Sequence, residues 1–69
     1  MKAMLIDAGW FMFHSCSCGG SYKEKYKHPS KPAKQIHIRP SKDKWFYLQS
    51  NRVYAEGNTS TLQAKLNEI

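Results

Sequence analysis

Apolar and polar positions follow a period of two through the middle of the chain and a period near four at its two ends. Residues 2–8 are rich in helix formers and hold no turn residue, and Met4, Leu5 and Ala8 fall on one helical face. Gly9 stands where a left-handed cap would end that helix, although Met4-Leu5-Ile6 could also open a strand. The aromatic-rich run 10–14 predicts a strand, and the small residues of 15–21 predict a turn. In 22–27, Lys23, Lys25 and Lys27 share one face of a strand, with Tyr22, Glu24 and Tyr26 on the other. Pro29 and Pro32 predict a stiffened loop over 28–33. Strands follow at 35–39, 45–49 and 52–56, the last two joined by a tight turn at Ser50-Asn51. A capping box of Ser60 with Gln63 starts a second helix, whose stripe is Leu62, Leu66 and Ile69.

These elements predict one α+β domain spanning residues 1–69. A short N-terminal helix and a C-terminal helix pack on one face of an antiparallel sheet of four to five strands, because each apolar stripe needs a partner surface. The inward positions are expected to be Phe11, Phe13, Tyr22, Tyr26, Ile36, Ile38, Phe46, Leu48 and Val53. The outward ones are Lys23, Lys25, Lys27, His37, Arg39, Trp45, Tyr47, Arg52 and Tyr54. The expected core is Trp10 or Phe11 with Ile36, Ile38, Phe46, Leu48, Leu62 and Leu66.

Charge narrows the choice of partner. The net charge of +6 lies entirely between Lys23 and Lys44, where eight Lys/Arg face two acids, Glu24 and Asp43. Such a concentrated field attracts a polyanion, or else simply keeps the surface solvated. With 69 residues the chain buries only about 60% of its unfolded surface, which leaves little room for a large cofactor. Residues 1–9 lack the pattern of a signal peptide and the apolar run 10–13 is too short to span a bilayer, so a cytoplasmic location is expected.

Three groups of reactive residues stand out. His14, Cys16 and Cys18 at alternate positions, with His28 or His37 as a distant fourth, form the one set able to ligate zinc; the single atypical cysteine pair makes the expectation no metal and no cofactor. Cys16 beside His14 lacks an orienting group or oxyanion donor for nucleophilic catalysis. His28 and His37 would suit acid–base cleavage of RNA only if folding brought them together. The broadest signal is basic and aromatic. Lys23, Lys25, Lys27, Lys31, Lys34 and Arg39 are placed to meet phosphates, with Trp45 and Tyr47 to stack on bases or sugars.

The stretches Leu5-Ile6-Asp7-Ala8-Gly9-Trp10, Gly20-Ser21 and Tyr26-Lys27-His28-Pro29-Ser30-Lys31-Pro32 resemble the HicA (YcfA-like) toxin family over roughly residues 5–40. That resemblance implies a fold similar to a double-stranded-RNA-binding domain, with both helices on one sheet face, and an affinity for RNA. The family's catalytic histidine follows its Gly-Ser step, and here Tyr22 stands there. Ala33 replaces the family's glycine, and the turn carrying Cys16 and Cys18 has no family counterpart. Tyrosine, with an ordinary pKa of about 10, is a poor general base near neutrality. The expectation is therefore a catalytically inactive relative that binds RNA or DNA. The alternative is a regulatory or protein-interaction domain, of the kind a mobile genetic element carries, with an antitoxin-like chain as partner.

Overall fold

A computed structural model describes residues 1–69, apart from the side chain of Cys18. Helix α1 (Lys2–Asp7) leads into strands β1 (Phe11–Cys16), β2 (Lys23–His28), β3 (Lys31–Arg39), β4 (Lys44–Gln49) and β5 (Arg52–Gly57), and helix α2 (Thr59–Glu68) ends the chain. The five strands form one antiparallel meander in the order β1-β2-β3-β4-β5. Both helices pack on the same face, as the α+β reading expects. No helix among the described residues is long and apolar enough to cross a membrane.

Local chemistry explains the joints. Gly9 takes φ +92° after α1, a conformation that few side chains tolerate. Ser50 and Asn51 both adopt positive φ, as the tight β4–β5 hairpin requires. The loop expected over 28–33 is shorter than its prolines suggest. Only Pro29 and Ser30 lie outside strands, and Pro32 sits near the start of β3. The capping box also lies two residues earlier than expected. Asn58 accepts from the Thr61 backbone while the Thr61 hydroxyl accepts from the Asn58 backbone. Asp43 adds to this start by accepting from the Thr59 backbone amide at 3.0 Å and from its hydroxyl.

The covered face holds Leu5, Trp10, Tyr26, Ile36, Ile38, Trp45, Tyr47, Leu62 and Leu66 as one buried cluster. Trp10, not Phe11, is the core residue at the start of the sheet, and the expected phase of β4 is reversed. Trp45 and Tyr47 point under the helices, while Phe46 and Leu48 belong to the opposite face, where Leu48 is still buried as expected of a core residue. Every residue in 45–48 is apolar or aromatic, so alternation alone cannot choose. The indole settles it, because Trp45 Nε1 donates to the Asn58 carbonyl at 2.8 Å and lies 3.2 Å from Thr61 Oγ1, at the start of α2. Gly57 opposite makes the room: a Cβ there would stand 2.7 Å from the Trp45 ring.

Two β-bulges correct the remaining inward assignments. Between β4 and β5, Tyr47 pairs with Ala55 but Leu48 pairs with Val53, so one extra residue turns Val53 away from the helices and leaves it 58% exposed. Between β1 and β2, Met12 pairs with Tyr26 but His14 pairs with Lys25, which makes Phe13 the extra residue. Phe11 and Phe13, expected inside, are exposed, and Lys27 Nζ lies 4.3 Å from the centre of the Phe13 ring. Tyr22 keeps the expected phase but stays exposed at the end of the sheet.

Candidate nucleic-acid interface

The face of the sheet opposite the helices carries the concentrated charge. Alternation along β2 and β3 places Lys23, Lys25, Lys27, His37 and Arg39 there, because Glu24, Tyr26, Ile36 and Ile38 are buried beneath the helices. One row crosses all five strands on this open face: His14, Lys25, His37, Phe46 and Glu56. Glu56, at the far edge, is the acid of that row. The other strand carboxylate, Glu24, is only 6% exposed on the covered face and accepts from Tyr22 and Tyr26 at 2.6 and 2.8 Å.

Burial and charge combine on His37. Removal of water, then the neighbouring Lys25, Lys23 and His14, push its pKa from 6.5 down to about 4, so the ring is neutral at neutral pH. Its Nε2 lies 2.8 Å from Gln35 Oε1, an acceptor, which assigns the proton to Nε2 and leaves Nδ1 as an acceptor. Beside it a hollow of about 220 Å³ is lined by Lys23, His37, Arg39, Phe46, Leu48 and Val53. The Nε of Arg39 is buried with no hydrogen-bond partner among the described residues.

Not every expected contact belongs to this surface. Of the six cations, Lys23, Lys25, Lys27 and Arg39 share the open face. Lys31 leans toward the covered side, with its Nζ 5.9 Å from the Trp10 ring centre. Lys34 has the phase of Ile36 and Ile38 and pairs with Gln49, so it too lies off the open face. Trp45 and Tyr47 are 3% and 5% exposed and cannot stack on a base without unpacking the core. Phe46, assigned inward from hydropathy, is the β4 aromatic that reaches the open face. A register shift of one residue would have found it, and Gly57 opposite Trp45 is the signal for that shift.

The reactive groups separate in the same way. His28 packs edge-on against buried Trp10 at 5.4 Å, and its Nδ1 accepts from the Ser30 amide at 3.1 Å. His14 and His37 lie on the opposite face, so neither a His14–Cys16–His28 metal set nor a His28–His37 catalytic pair is assembled. No group of three or more metal-binding side chains occurs among the described residues, and the Cys18 side chain lies outside them. Tyr22 donates to Glu24, and that bond, with burial and the carboxylate charge, raises its pKa further from neutrality. As a proton acceptor it is worse placed than an ordinary tyrosine.

Compared with family models, curated proteins and solved structures, the chain matches none.

Proposed function

We propose that this chain is a small nucleic-acid-binding module, a catalytically inactive relative of HicA-type toxins, that holds RNA by its phosphate backbone across the open face of the sheet. The observation that carries the reading is the gathering of Lys23, Lys25, Lys27 and Arg39 on a face no helix covers, with the acid Glu24 turned to the other side. Closely spaced cations that repel one another are retained most readily where a polyanion offsets the repulsion. The resemblance to the HicA family, carried by residues 5–10 and 26–32, points to the same ligand.

The test is charge reversal. Replacing Lys23, Lys25 and Lys27 by Glu changes the net charge from +6 to 0 and leaves every core residue in place. Binding to a mixed RNA pool should be nearly abolished, and wild-type affinity should fall steeply with salt, because the counterions released on binding gain less entropy in a saltier solution. A wild-type protein with no affinity tighter than about 100 μM for RNA or DNA at low salt would end the proposal.

A second reading has its own observation. Strand β1 is an edge, and Phe11, Met12 and Phe13 on it are 46%, 39% and 38% exposed. An uncovered apolar edge suits an added strand from a protein partner. Such a complex would resist salt and would be lost on Phe13→Lys, whereas the charge reversal would leave it.

A further inference from the structure

We propose that the hollow lined by Lys23, His37, Arg39, Phe46, Leu48 and Val53 seats one unstacked nucleotide, so that the open face takes single-stranded rather than duplex RNA. The inference rests on the nucleic-acid reading above and specifies the form of the ligand.

An antiparallel sheet face is ordinarily a shallow surface, and the hollow has a local cause. The bulge in β5 turns Val53 to this side, opposite Leu48, while Phe46 stands one alternation away on β4. These three residues give an apolar floor. The rim is cationic, with Lys23 from β2 and Arg39 from β3. A nucleotide has the same two-part character, a planar ring of low polarity joined to an anionic phosphate. The Arg39 Nε is out of water with no acceptor among the described residues, so the guanidinium that lines the hollow carries a desolvated charge that an anionic oxygen seated there would offset. On the third side, His37 offers Nδ1 as an acceptor because Nε2 is committed to Gln35. An exocyclic amino group on a base would complete that bond, and the depressed pKa keeps the ring able to accept at neutral pH.

Duplex RNA cannot use these features. Its bases are paired inside the helix, and it presents phosphates and 2′-hydroxyls to the protein. It can meet Lys25 and Lys27, but it cannot place a ring on Phe46, Leu48 and Val53. A single strand can splay one base into the hollow while its neighbouring phosphates lie along the lysines.

Two variants with the same charge change separate the seat from the surrounding face. The measurement is fluorescence anisotropy at low salt on the 69-residue chain, with a short labelled single-stranded RNA, its duplex and the matching single-stranded DNA. Arg39→Gln should weaken single-strand binding about tenfold, because it removes a charge-assisted contact inside the seat. Lys27→Gln, outside the hollow, should weaken it about twofold. Both variants should weaken duplex binding alike. Val53→Ser, at an exposed position where folding is not at stake, should cost about threefold on the single strand and leave the duplex unchanged. In the amide spectrum of the wild type, adenosine monophosphate should shift Phe46 and Val53, and inorganic phosphate should not.

If Arg39→Gln and Lys27→Gln are equivalent on both RNA forms and Val53→Ser is silent, the seat is refuted and the open face remains a phosphate-binding surface. If the wild type binds none of the nucleic acids, both readings fall. Equal affinity for single-stranded RNA and DNA supports the seat, whose floor, rim and acceptor meet a base and a phosphate and not the 2′-hydroxyl.

Discussion

The two faces of the sheet are built from the same strands and obey opposite rules. Under the helices, Tyr26, Ile36, Ile38, Trp45 and Tyr47 are at most 5% exposed, and the buried charged side chain there, Glu24, has both carboxylate oxygens occupied by tyrosine hydroxyls. On the open face, lysines stand beside one another, an imidazole is held neutral, and a guanidinium nitrogen lacks a partner. Polar groups on the covered face are satisfied from within the chain. On the open face one such group, the Arg39 Nε, has no partner among the described residues. The difference assigns stability to the covered face and leaves the open face free for the proposed binding, and it can be broken residue by residue.

The largest effect should come from the residue whose side was hardest to read. Trp45→Ala removes a buried indole and both its contacts to the start of α2, and should cost about 3–5 kcal/mol in urea unfolding. Val53→Ala, on the other side of the sheet, should cost under about 0.5 kcal/mol. If the two variants proved equally mild, Trp45 would not be a core residue and the division of faces would fail.

Glu24 probes the covered face from its polar side. Glu24→Ala leaves the fully buried Tyr26 hydroxyl without its acceptor and should cost about 2–3 kcal/mol. Glu24→Gln, which retains an acceptor oxygen, should recover about half of that. Equal losses in the two variants would mean that packing, not the hydrogen bond, holds the acid there.

His37 gives the open face a pH signature of opposite origin. Folding lowers its pKa from 6.5 to about 4, so between those values the unfolded chain binds the extra proton. The contribution is complete above 6.5 and is lost as pH falls toward 4. For a partly exposed ring the loss should be on the order of 1–2 kcal/mol. In His37→Gln that part of the slope should vanish. An unchanged slope would place the titration elsewhere.

The sequence shows element order clearly and the choice of face unevenly. In β2 and β3, charges alternate with Tyr26, Ile36 and Ile38, so only one phase keeps Lys23, Lys25, Lys27 and Arg39 out of the core, and the prediction matches the structure. In β4 both phases are apolar, and the decision passes to a hydrogen bond from Trp45 to α2, which is a tertiary fact. In β1 and β5 a single extra residue at each bulge resets the phase, and no local pattern announces it. The candidate site divides in the same way. Lys23, Lys25, Lys27 and Arg39 are legible as a set, whereas the Phe46–Leu48–Val53 floor exists only because β4 is reversed and β5 is bulged. Lys31 and Lys34 fall away because Lys31 pairs with inward-turned His28 and Lys34 takes the inward phase of β3.

The smallest effect is the one that bears most directly on the proposed binding face. Lys25 lies directly between His14 and His37 in the cross-strand row, and its charge is the largest electrostatic cause of the His37 shift after burial. On a surface selected for stability alone, a neutral polar residue would serve better there, since neighbouring like charges in a sheet oppose folding. Lys25→Gln should therefore leave stability unchanged or raise it by about 0.3–0.5 kcal/mol, while weakening RNA binding about twofold. It should also move the His37 titration upward from about 4, as followed by the imidazole carbon-bound proton in NMR. Stability and binding would then change in opposite directions at a single position. A Lys25→Gln protein that was less stable and bound RNA as before would make this lysine a structural residue, and the open face would lose its claim to be the working one.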